Sequence, residues 1–144
     1  GMPVLIPETY VRDLGIRMGL YKRLADITES SEIEAFAAEM TDRFGALPPE
    51  VENLLAIIAI KNLCRKANVE KIEAGPKGAV ITLRNNVFPN PAGLVKFIAR
   101  NNGAAKLRPD QKIVYKRVWD IPADRLKGMR KLMEKMADIA TENK

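Results

Sequence analysis

The apolar periodicity of the chain changes at Asn68, and this change constrains the fold more than any other sequence feature. Before Asn68, apolar residues recur at spacings of three and four, which is typical of amphipathic helices. After it, short apolar stretches alternate with turn residues, which is typical of strands joined by hairpins. The sequence therefore predicts a helical N-terminal part followed by a part that contains an antiparallel sheet.

The first of three predicted helices follows Pro7. Its apolar stripe is formed by Val11, Leu14, Met18, Tyr21 and Ala25, and Ile16, Leu20 and Leu24 form an adjacent apolar face, so we expect the helix to be covered on more than one side. Asp13 precedes Arg17 by four residues, which is the favourable order for an ion pair along a helix. We therefore expect Asp13 and Arg17 to pair with each other.

The second predicted helix starts near Ser31. Ser31 and Glu34 have the spacing of a capping box, in which each side chain satisfies a free backbone N–H of the first turn. The apolar stripe that follows is formed by Ile33, Phe36, Ala37, Met40 and Phe44. Gly45 comes next and predicts the end of the helix, because glycine readily adopts a left-handed backbone.

The third predicted helix opens at Pro49, a residue that suits the first turn of a helix. Apolar side chains between residues 51 and 64 cover most of its circumference. Such a helix is expected to be buried on several sides, and we expect Leu54 and Ile58 to lie in the core.

The remaining elements are predicted in the order strand, strand, helix, strand, strand, helix. The predicted ranges are 69–74, 79–83, 90–102, 105–107 and 113–119, followed by a long helix from 122. Strands joined by hairpins pair antiparallel, so the fold class is α+β. We expect an N-terminal three-helix layer packed with a small sheet of two hairpins, one intervening helix and a long C-terminal helix. Residues 3–144 are expected to form one domain, and residues 1–2 to be an addition before it.

Histidine is absent from the chain, and cysteine occurs once, as Cys64. Histidine-dependent triads and the usual zinc sites are therefore excluded. Cys64 lies on an apolar helix, where burial makes a thiol unreactive, and the carboxylates fall on polar helix faces. We expect no catalytic residue, cofactor site or metal site. A single cysteine fits a reducing compartment and no apolar run approaches the ~18 residues of a membrane span, so we expect a cytoplasmic protein without membrane contact.

Gly75 and Gly78 form the one close glycine pair near a predicted strand. A phosphate-binding loop needs a strand before it and a helix after it, so that backbone N–H groups and the helix dipole point at the phosphates. This pair lies between two predicted strands instead. The sequence therefore predicts a hairpin turn, and we expect no ATP binding by this chain alone.

Positive charge is concentrated in the second half of the chain. Residues 1–72 carry a net charge of −2, and residues 73–144 carry a net charge of +8. The last helix places Lys127, Lys131 and Lys135 at successive steps of four residues, on one stripe. Such a stripe can face solvent, an acidic protein or nucleic acid. A small basic nucleic-acid-binding domain therefore stays open as an alternative function, and an enzyme that uses only carboxylates and backbone groups as a weaker one.

The N-terminal part also carries motifs that occur together in a known family. They are Ile6-Pro7-Glu8-x-Tyr10-Val11-x-Asp13 followed by Arg17, Leu20-Tyr21-Lys22-Arg23-Leu24-Ala25, Asp42-Arg43-Phe44-Gly45-x-Leu47-Pro48, Val51-x-Asn53-Leu54-Leu55 and Lys71-Ile72-x-Ala74-Gly75-x-Lys77-Gly78. Over about residues 3–83 the sequence closely resembles the C-terminal (TRCF) domain of the bacterial transcription-repair coupling factors, the Mfd family. Beyond residue 83 only the periodicity supports the prediction.

The resemblance implies a regulatory domain without catalysis. In that family the C-terminal domain packs against a module that resembles UvrB and masks the surface that binds UvrA. The parent is an ATP-dependent DNA translocase that displaces stalled RNA polymerase in transcription-coupled nucleotide-excision repair. The resemblance therefore implies that ATP, DNA and RNA polymerase are partners of the parent, and that this domain is an autoinhibitory interaction module.

Charged side chains are the candidates for the partner surface. They are Asp13, Arg17, Asp42 and Arg43 in the matching motifs, and Lys127, Lys131 and Lys135 on the last helix. Arginine forks and carboxylates orient contacts and tune specificity, so we expect the motif residues to matter before the lysines. The alternative is that each motif pair only stabilises its own helix or the turn that follows it.

Overall fold

The order of helices and strands confirms the α+β fold predicted from the sequence. The computed structural model describes residues 2–142, and within them the elements are α1 Leu14–Ala25, α2 Ser30–Phe44, α3 Pro49–Lys66, β1 Val69–Gly75, β2 Gly78–Leu83, a 3₁₀ turn Arg84–Asn86, α4 Pro91–Arg100, β3 Ala105–Leu107, β4 Ile113–Lys116 and α5 Pro122–Thr141. The chain divides into two units, unit 1 Gly1–Asn62 and unit 2 Leu63–Lys144. The expectation of one domain over residues 3–144 stays a prediction, and Gly1 lies outside the described residues.

Unit 1 is built on a core that α1, α2, α3 and the segment before α1 share. Its buried side chains are Ile6, Val11, Leu20, Leu24, Ile27, Ile33, Phe36, Met40, Val51, Leu55 and Ala59. The N-terminal segment is fixed by hydrogen bonds as well as by packing. Tyr10 Oη lies 2.7 Å from the carbonyl oxygen of Gly45 and 3.1 Å from that of Met40, and the backbone N–H of Ile6 donates to Tyr21 Oη at 2.7 Å.

The predicted apolar stripe of the first helix is wrong at Leu14, Met18 and Ala25, which are exposed, whereas Val11 is buried and Tyr21 is half-buried. Leu14 and Met18 are exposed, with 61% of the Leu14 surface open to solvent, whereas Leu20 and Leu24 are buried. The helix begins at Leu14 because the preceding residues form a turn, in which Pro7 O accepts hydrogen bonds from two backbone N–H groups. Burial of the N-terminal segment against the unit 1 core therefore sets which face of α1 turns inward.

Asp13 and Arg17 each bond to the backbone near the start of α1 instead of forming the predicted ion pair with each other. Asp13 Oδ1 accepts from the backbone N–H of Ile16 at 2.8 Å and so caps the N-terminus of α1. Arg17 Nη1 donates to the carbonyl oxygen of Val11 at 2.8 Å. Both side chains thus stabilise the junction between the N-terminal segment and α1.

The predicted capping box of the second helix lies two residues too late. Glu32 Oε1 accepts from the backbone N–H groups of Glu29 at 3.0 Å and Thr28 at 3.2 Å, so Glu29 is the N-cap in place of Ser31. These hydrogen bonds to the charged form lower the pKa of Glu32. The predicted stripe and the helix end at Gly45, with φ of 96°, are confirmed.

The third helix presents a smaller fully buried face than its composition predicts. Val51, Leu55 and Ala59 are buried, whereas Leu54 and Ile58 are half-buried and pack at the edge of the core. The positions i, i+4 and i+8 share one side of a helix. The deepest contacts of α3 in unit 1 therefore follow the Val51 side.

The sheet of unit 2 is antiparallel throughout and has the strand order β1-β2-β4-β3. Ile81 in β2 pairs with Ile72 in β1 and with Ile113 in β4. The strand β4 ends at Lys116, three residues before the predicted end, because Trp119 N–H donates to Pro76 O at 2.8 Å and the chain follows the β1–β2 turn instead.

The helices α4 and α5 pack on one face of this sheet. Asn90 is buried and joins the two helices: its Oδ1 accepts from Gly93 N–H at 3.1 Å, and its Nδ2 donates to Ile139 O at 3.0 Å. The buried side chains of α5 are Leu132, Met133, Met136 and Ala137. None of the helices within residues 2–142 has the length and apolar character that crossing a membrane requires.

The unit 1 core predicts a graded response to truncation. Leu55→Ala should lower the free energy of unfolding by ~2–5 kcal/mol, because the buried side chain leaves a cavity. Leu54→Ala should cost less, and Leu14→Ala should change it by less than about 0.5 kcal/mol. Urea denaturation of the three variants measures this order. Equal losses at positions 54 and 55 would contradict the description of α3.

The geometry of the β1–β2 turn predicts that alanine is tolerated at Gly75, where the turn begins, but not at Gly78, where it ends. Gly78 has φ of 123°, and a Cβ there would lie 1.9 Å from Tyr115 O, whereas a Cβ at Gly75 would meet nothing within 4 Å. Gly78→Ala should therefore lower the free energy of unfolding by more than about 2 kcal/mol. Gly75→Ala, the matched control, should change it by less than about 1 kcal/mol. Thermal or urea unfolding tests both, and similar values would disprove the close approach at Gly78.

Candidate interaction surfaces

An ion cluster joins the exposed surfaces of α1 and α2 in unit 1. Glu39 accepts two hydrogen bonds of 2.7 Å from Arg23 and one of 3.0 Å from Arg43. The Arg23 guanidinium carbon lies 5.2 Å from the ring centroid of Phe36, and that of Arg43 lies 4.8 Å from Phe44. We call these five residues the Glu39 cluster. Both guanidinium groups are held by a carboxylate on one side and a ring on the other.

The charge state of the Glu39 cluster follows from these contacts. The hydrogen bond from Arg23, and after it the one from Arg43, lower the pKa of the Glu39 carboxyl to about 2. Glu39 is therefore an ionised acceptor at neutral pH and has no proton to give as a general acid. The pairs are exposed, so they orient side chains more than they stabilise the fold.

The four motif candidates fall into two places. Asp42 and Arg43 lie in the last turn of α2, with exposed side chains beside Glu39. Asp13 and Arg17 lie at the start of α1, where their local hydrogen bonds are already described. The structure therefore joins Arg43 to the Glu39 cluster, which the sequence spacing did not reveal, and places Asp42 beside Arg43 in the chain with an exposed side chain.

The lysine stripe of α5 is exposed, as Lys127, Lys131 and Lys135 are all open to solvent. Lys131 and Lys135 also line a cavity in unit 2, whereas Lys127 lies outside its lining. Arg117 lines the same cavity, although sequence reasoning passed over it. The signal that could have found it is the run Tyr115 to Trp119, where two aromatic residues flank Arg117 on a short strand and its continuation.

Aromatic rings form the floor of this cavity. The rings of Phe97 and Tyr115 are stacked with centroids 6.1 Å apart, and those of Tyr115 and Trp119 are 6.4 Å apart. Trp119 packs directly on the α5 backbone at Gly128, where a Cβ would lie 2.3 Å from the indole. We call this site the aromatic cavity.

The Cys64 thiol and the acidic side chains are the groups to compare with the needs of a nucleophile and of a metal site. Burial raises the pKa of the Cys64 thiol to about 11, so it is protonated at neutral pH. Across residues 2–142, no three Cys, Asp or Glu side chains group closely enough to hold a metal ion. Gly75 and Gly78 end and begin adjacent strands, which confirms the predicted hairpin turn.

Comparison with known proteins gives one consistent family. The sequence model of the TRCF domain matches residues 1–94. The transcription-repair-coupling factor of Rickettsia conorii is 42% identical over 115 residues, which are 80% of this chain and 10% of that protein. The one of Escherichia coli is 27% identical over 139 residues, which are 96% of this chain and 12% of that protein. The chain thus spans about a tenth of the length of these curated relatives.

A solved structure supports the fold. The crystal structure of the C-terminal domain of a transcription-repair coupling factor superposes with a TM-score of 0.81 and covers 99% of this chain and 92% of its own. The sequence identity of 21% makes this a likeness of fold. The α+β architecture is therefore shared over nearly the whole chain.

The Glu39 cluster predicts a specific acid sensitivity. The folded-state pKa of Glu39 is about 2, below its usual 4.5, so its contribution to stability is complete above pH 4.5 and is lost as the pH falls towards 2. Glu39→Gln should therefore lose less stability over this range than the unmodified chain. Glu34→Gln, which removes a carboxylate of the same helix outside the cluster, should keep the full loss. Urea unfolding at low salt over this range tests the prediction, which fails if the two variants behave alike.

Proposed function

Because the chain belongs to the TRCF domain family, we propose that it is the non-catalytic regulatory domain of a transcription-repair-coupling factor. In this proposal the domain packs against the UvrB-like module of its parent and masks the surface that binds UvrA. ATP, DNA and RNA polymerase are partners of the parent protein, and this domain takes no cofactor. The proposal places the protein in the cytoplasm, in keeping with its single cysteine.

The ordered position of Arg43 within a family motif carries this proposal. Arg43 is held by Glu39 and by the ring of Phe44, yet its side chain is exposed. A guanidinium that is fixed before binding loses little conformational entropy when a partner docks. Its remaining N–H donors can orient a carboxylate of that partner. Asp42, the neighbour of Arg43, supplies the opposite charge for a cation across the contact.

We assign the contact to Asp42 and Arg43 in the first place. Asp13 and Arg17 belong to the proposed surface through their matching motif, but each also stabilises the start of α1. A charge reversal at either position would disturb α1 together with any contact. Asp42 and Arg43 therefore give the cleaner test.

A regulatory contact of this kind must be reversible. An equilibrium of a few kcal/mol between masked and open states can be shifted by the free energy of engaging a partner. Exposed ion pairs fit this role, because each contributes little and all are weakened by salt. The cationic side chains of α5, Lys127, Lys131 and Lys135, are the second candidates for such contacts.

The proposal predicts the behaviour of the parent protein. Deleting residues 3–144 from the parent should strengthen UvrA binding, because the masking domain is gone. Arg43→Glu and Asp42→Lys should each give part of this gain, whereas Lys61→Glu, an exposed charge reversal on α3 outside the motif, should give none. Binding to immobilised UvrA measures all four proteins. Unchanged affinity after the deletion would overturn autoinhibition, and unchanged affinity of the two point variants alone would overturn only the residue assignment.

The alternative function is a small nucleic-acid-binding domain, favoured by the net charge of +8 on residues 73–144. The rings that could stack on bases are covered, since Phe97 is 5% exposed and Trp119 is 7% exposed. A DNA gel shift separates the two functions. Binding that weakens steeply with salt at micromolar protein would favour the alternative.

A further inference from the structure

The aromatic cavity of unit 2 combines an apolar floor with a cationic rim. Phe97, Tyr115 and Trp119 supply rings to its lining, and Leu132 supplies an aliphatic side chain. The rings are packed against one another, and Phe97 and Trp119 are almost wholly buried. Tyr115 is half-buried and is the ring of this lining that keeps exposed surface, so an aliphatic group can contact the floor there, whereas few ring faces are open to a planar ligand.

Arg117 is the cation of the rim whose side chain makes hydrogen bonds and a ring contact within the chain. Its guanidinium carbon lies 4.2 Å from the ring centroid of Tyr115, its Nη1 donates to Lys116 O at 2.8 Å, and its Nη2 donates to Tyr115 Oη. These contacts use some of its five N–H donors and fix the plane of the fork. The remaining donors are available to an acceptor from outside the chain.

The positive charge of the rim is not neutralised by the described part of the chain. Within residues 2–142, no carboxylate lies within 4.0 Å of a side-chain nitrogen of Arg117, Lys131 or Lys135. Other arginines of the chain are paired, as Arg108 is with Asp110 and Arg84 with Glu70. Three unpaired cations around an apolar floor call for an anionic ligand that also carries an apolar group.

We propose that the aromatic cavity binds an acidic segment of a partner protein, with carboxylates on the rim cations and one aliphatic side chain against the floor. The planar carboxylate matches the fork of Arg117, and the aliphatic side chain matches the exposed part of the Tyr115 ring. Nucleic acid fits less well, because its bases need open ring faces for stacking. The site shares Lys131 and Lys135 with the second candidates for the regulatory contact, and it adds Arg117 and an apolar floor that the proposed function does not use. Peptide binding to this chain tests it separately from UvrA masking in the parent.

The chain carries its own reporter for this site. Trp119 is the only tryptophan and it lines the cavity, so its fluorescence should change when the cavity is filled. We would titrate the chain with a short peptide in which one leucine is flanked by aspartates. A saturable change in emission is expected. Peptides with asparagine for aspartate, or with glycine for leucine, should bind at least about tenfold more weakly.

Variants of the rim give the decisive comparison. Arg117→Gln and Lys131→Gln should each weaken the acidic peptide about tenfold. Lys127→Gln removes the same charge one turn before Lys131 but outside the lining, and should change the affinity less than about twofold. Lys131 is exposed, so Lys131→Gln keeps the test valid even where Arg117→Gln disturbs the fold.

Three results would overturn the inference. They are the absence of saturable binding, an equal loss of affinity in Lys127→Gln and Lys131→Gln, and tighter binding of a single-stranded oligonucleotide than of the peptide at equal charge. The second would show a diffuse cationic surface, and the third would show a nucleic-acid site. None of these outcomes bears on UvrA masking, which the domain deletion tests.

Discussion

The contact of Tyr10 with the end of α2 is the interaction on which the arrangement of unit 1 depends. The hydroxyl lies 2.7 Å from Gly45 O, and the Tyr10 ring lies 5.8 Å from that of Phe44. This contact fixes the N-terminal segment, and the buried Ile6 and Val11 complete the core beside α1. The Phe44 ring also contacts the guanidinium of Arg43, which lies at the surface. A surface cation is thus positioned through a ring that contacts the anchoring tyrosine.

The two proposed binding surfaces share one physical device, a guanidinium held against an aromatic ring. Arg43 lies 4.8 Å from the ring of Phe44, and Arg117 lies 4.2 Å from that of Tyr115. A stacked guanidinium keeps its charge and part of its hydrogen-bonding capacity while losing conformational freedom. The two arginines differ in their ion pairs: Glu39 already binds Arg43, whereas no carboxylate of residues 2–142 lies within 4.0 Å of the Arg117 guanidinium. The surface at Arg43 is therefore suited to weak, reversible contacts, and the surface at Arg117 is suited to binding an anion.

The sequence by itself determined the local features of the fold. The stripe of α2, the two hairpins and the helix that opens after Asn90 were all predicted, because each depends on spacing within a few residues and on the conformational preference of glycine, proline or asparagine. The family was also evident, since motifs such as Asp42-Arg43-Phe44-Gly45 are contiguous in the chain. The same motif indicated where to look for a contact surface.

Only the tertiary structure decided which faces and clusters these elements form. Apolar residues cover several sides of α1, so its periodicity fits more than one buried face, and packing of the N-terminal segment selected Leu20 over Leu14. The early end of β4 depends on a hydrogen bond from Trp119 to Pro76, far back in the sequence. The aromatic cavity likewise draws on α4, β4 and α5. These features arise from contacts between distant residues, whose free energies are set by three-dimensional packing that local spacing does not encode.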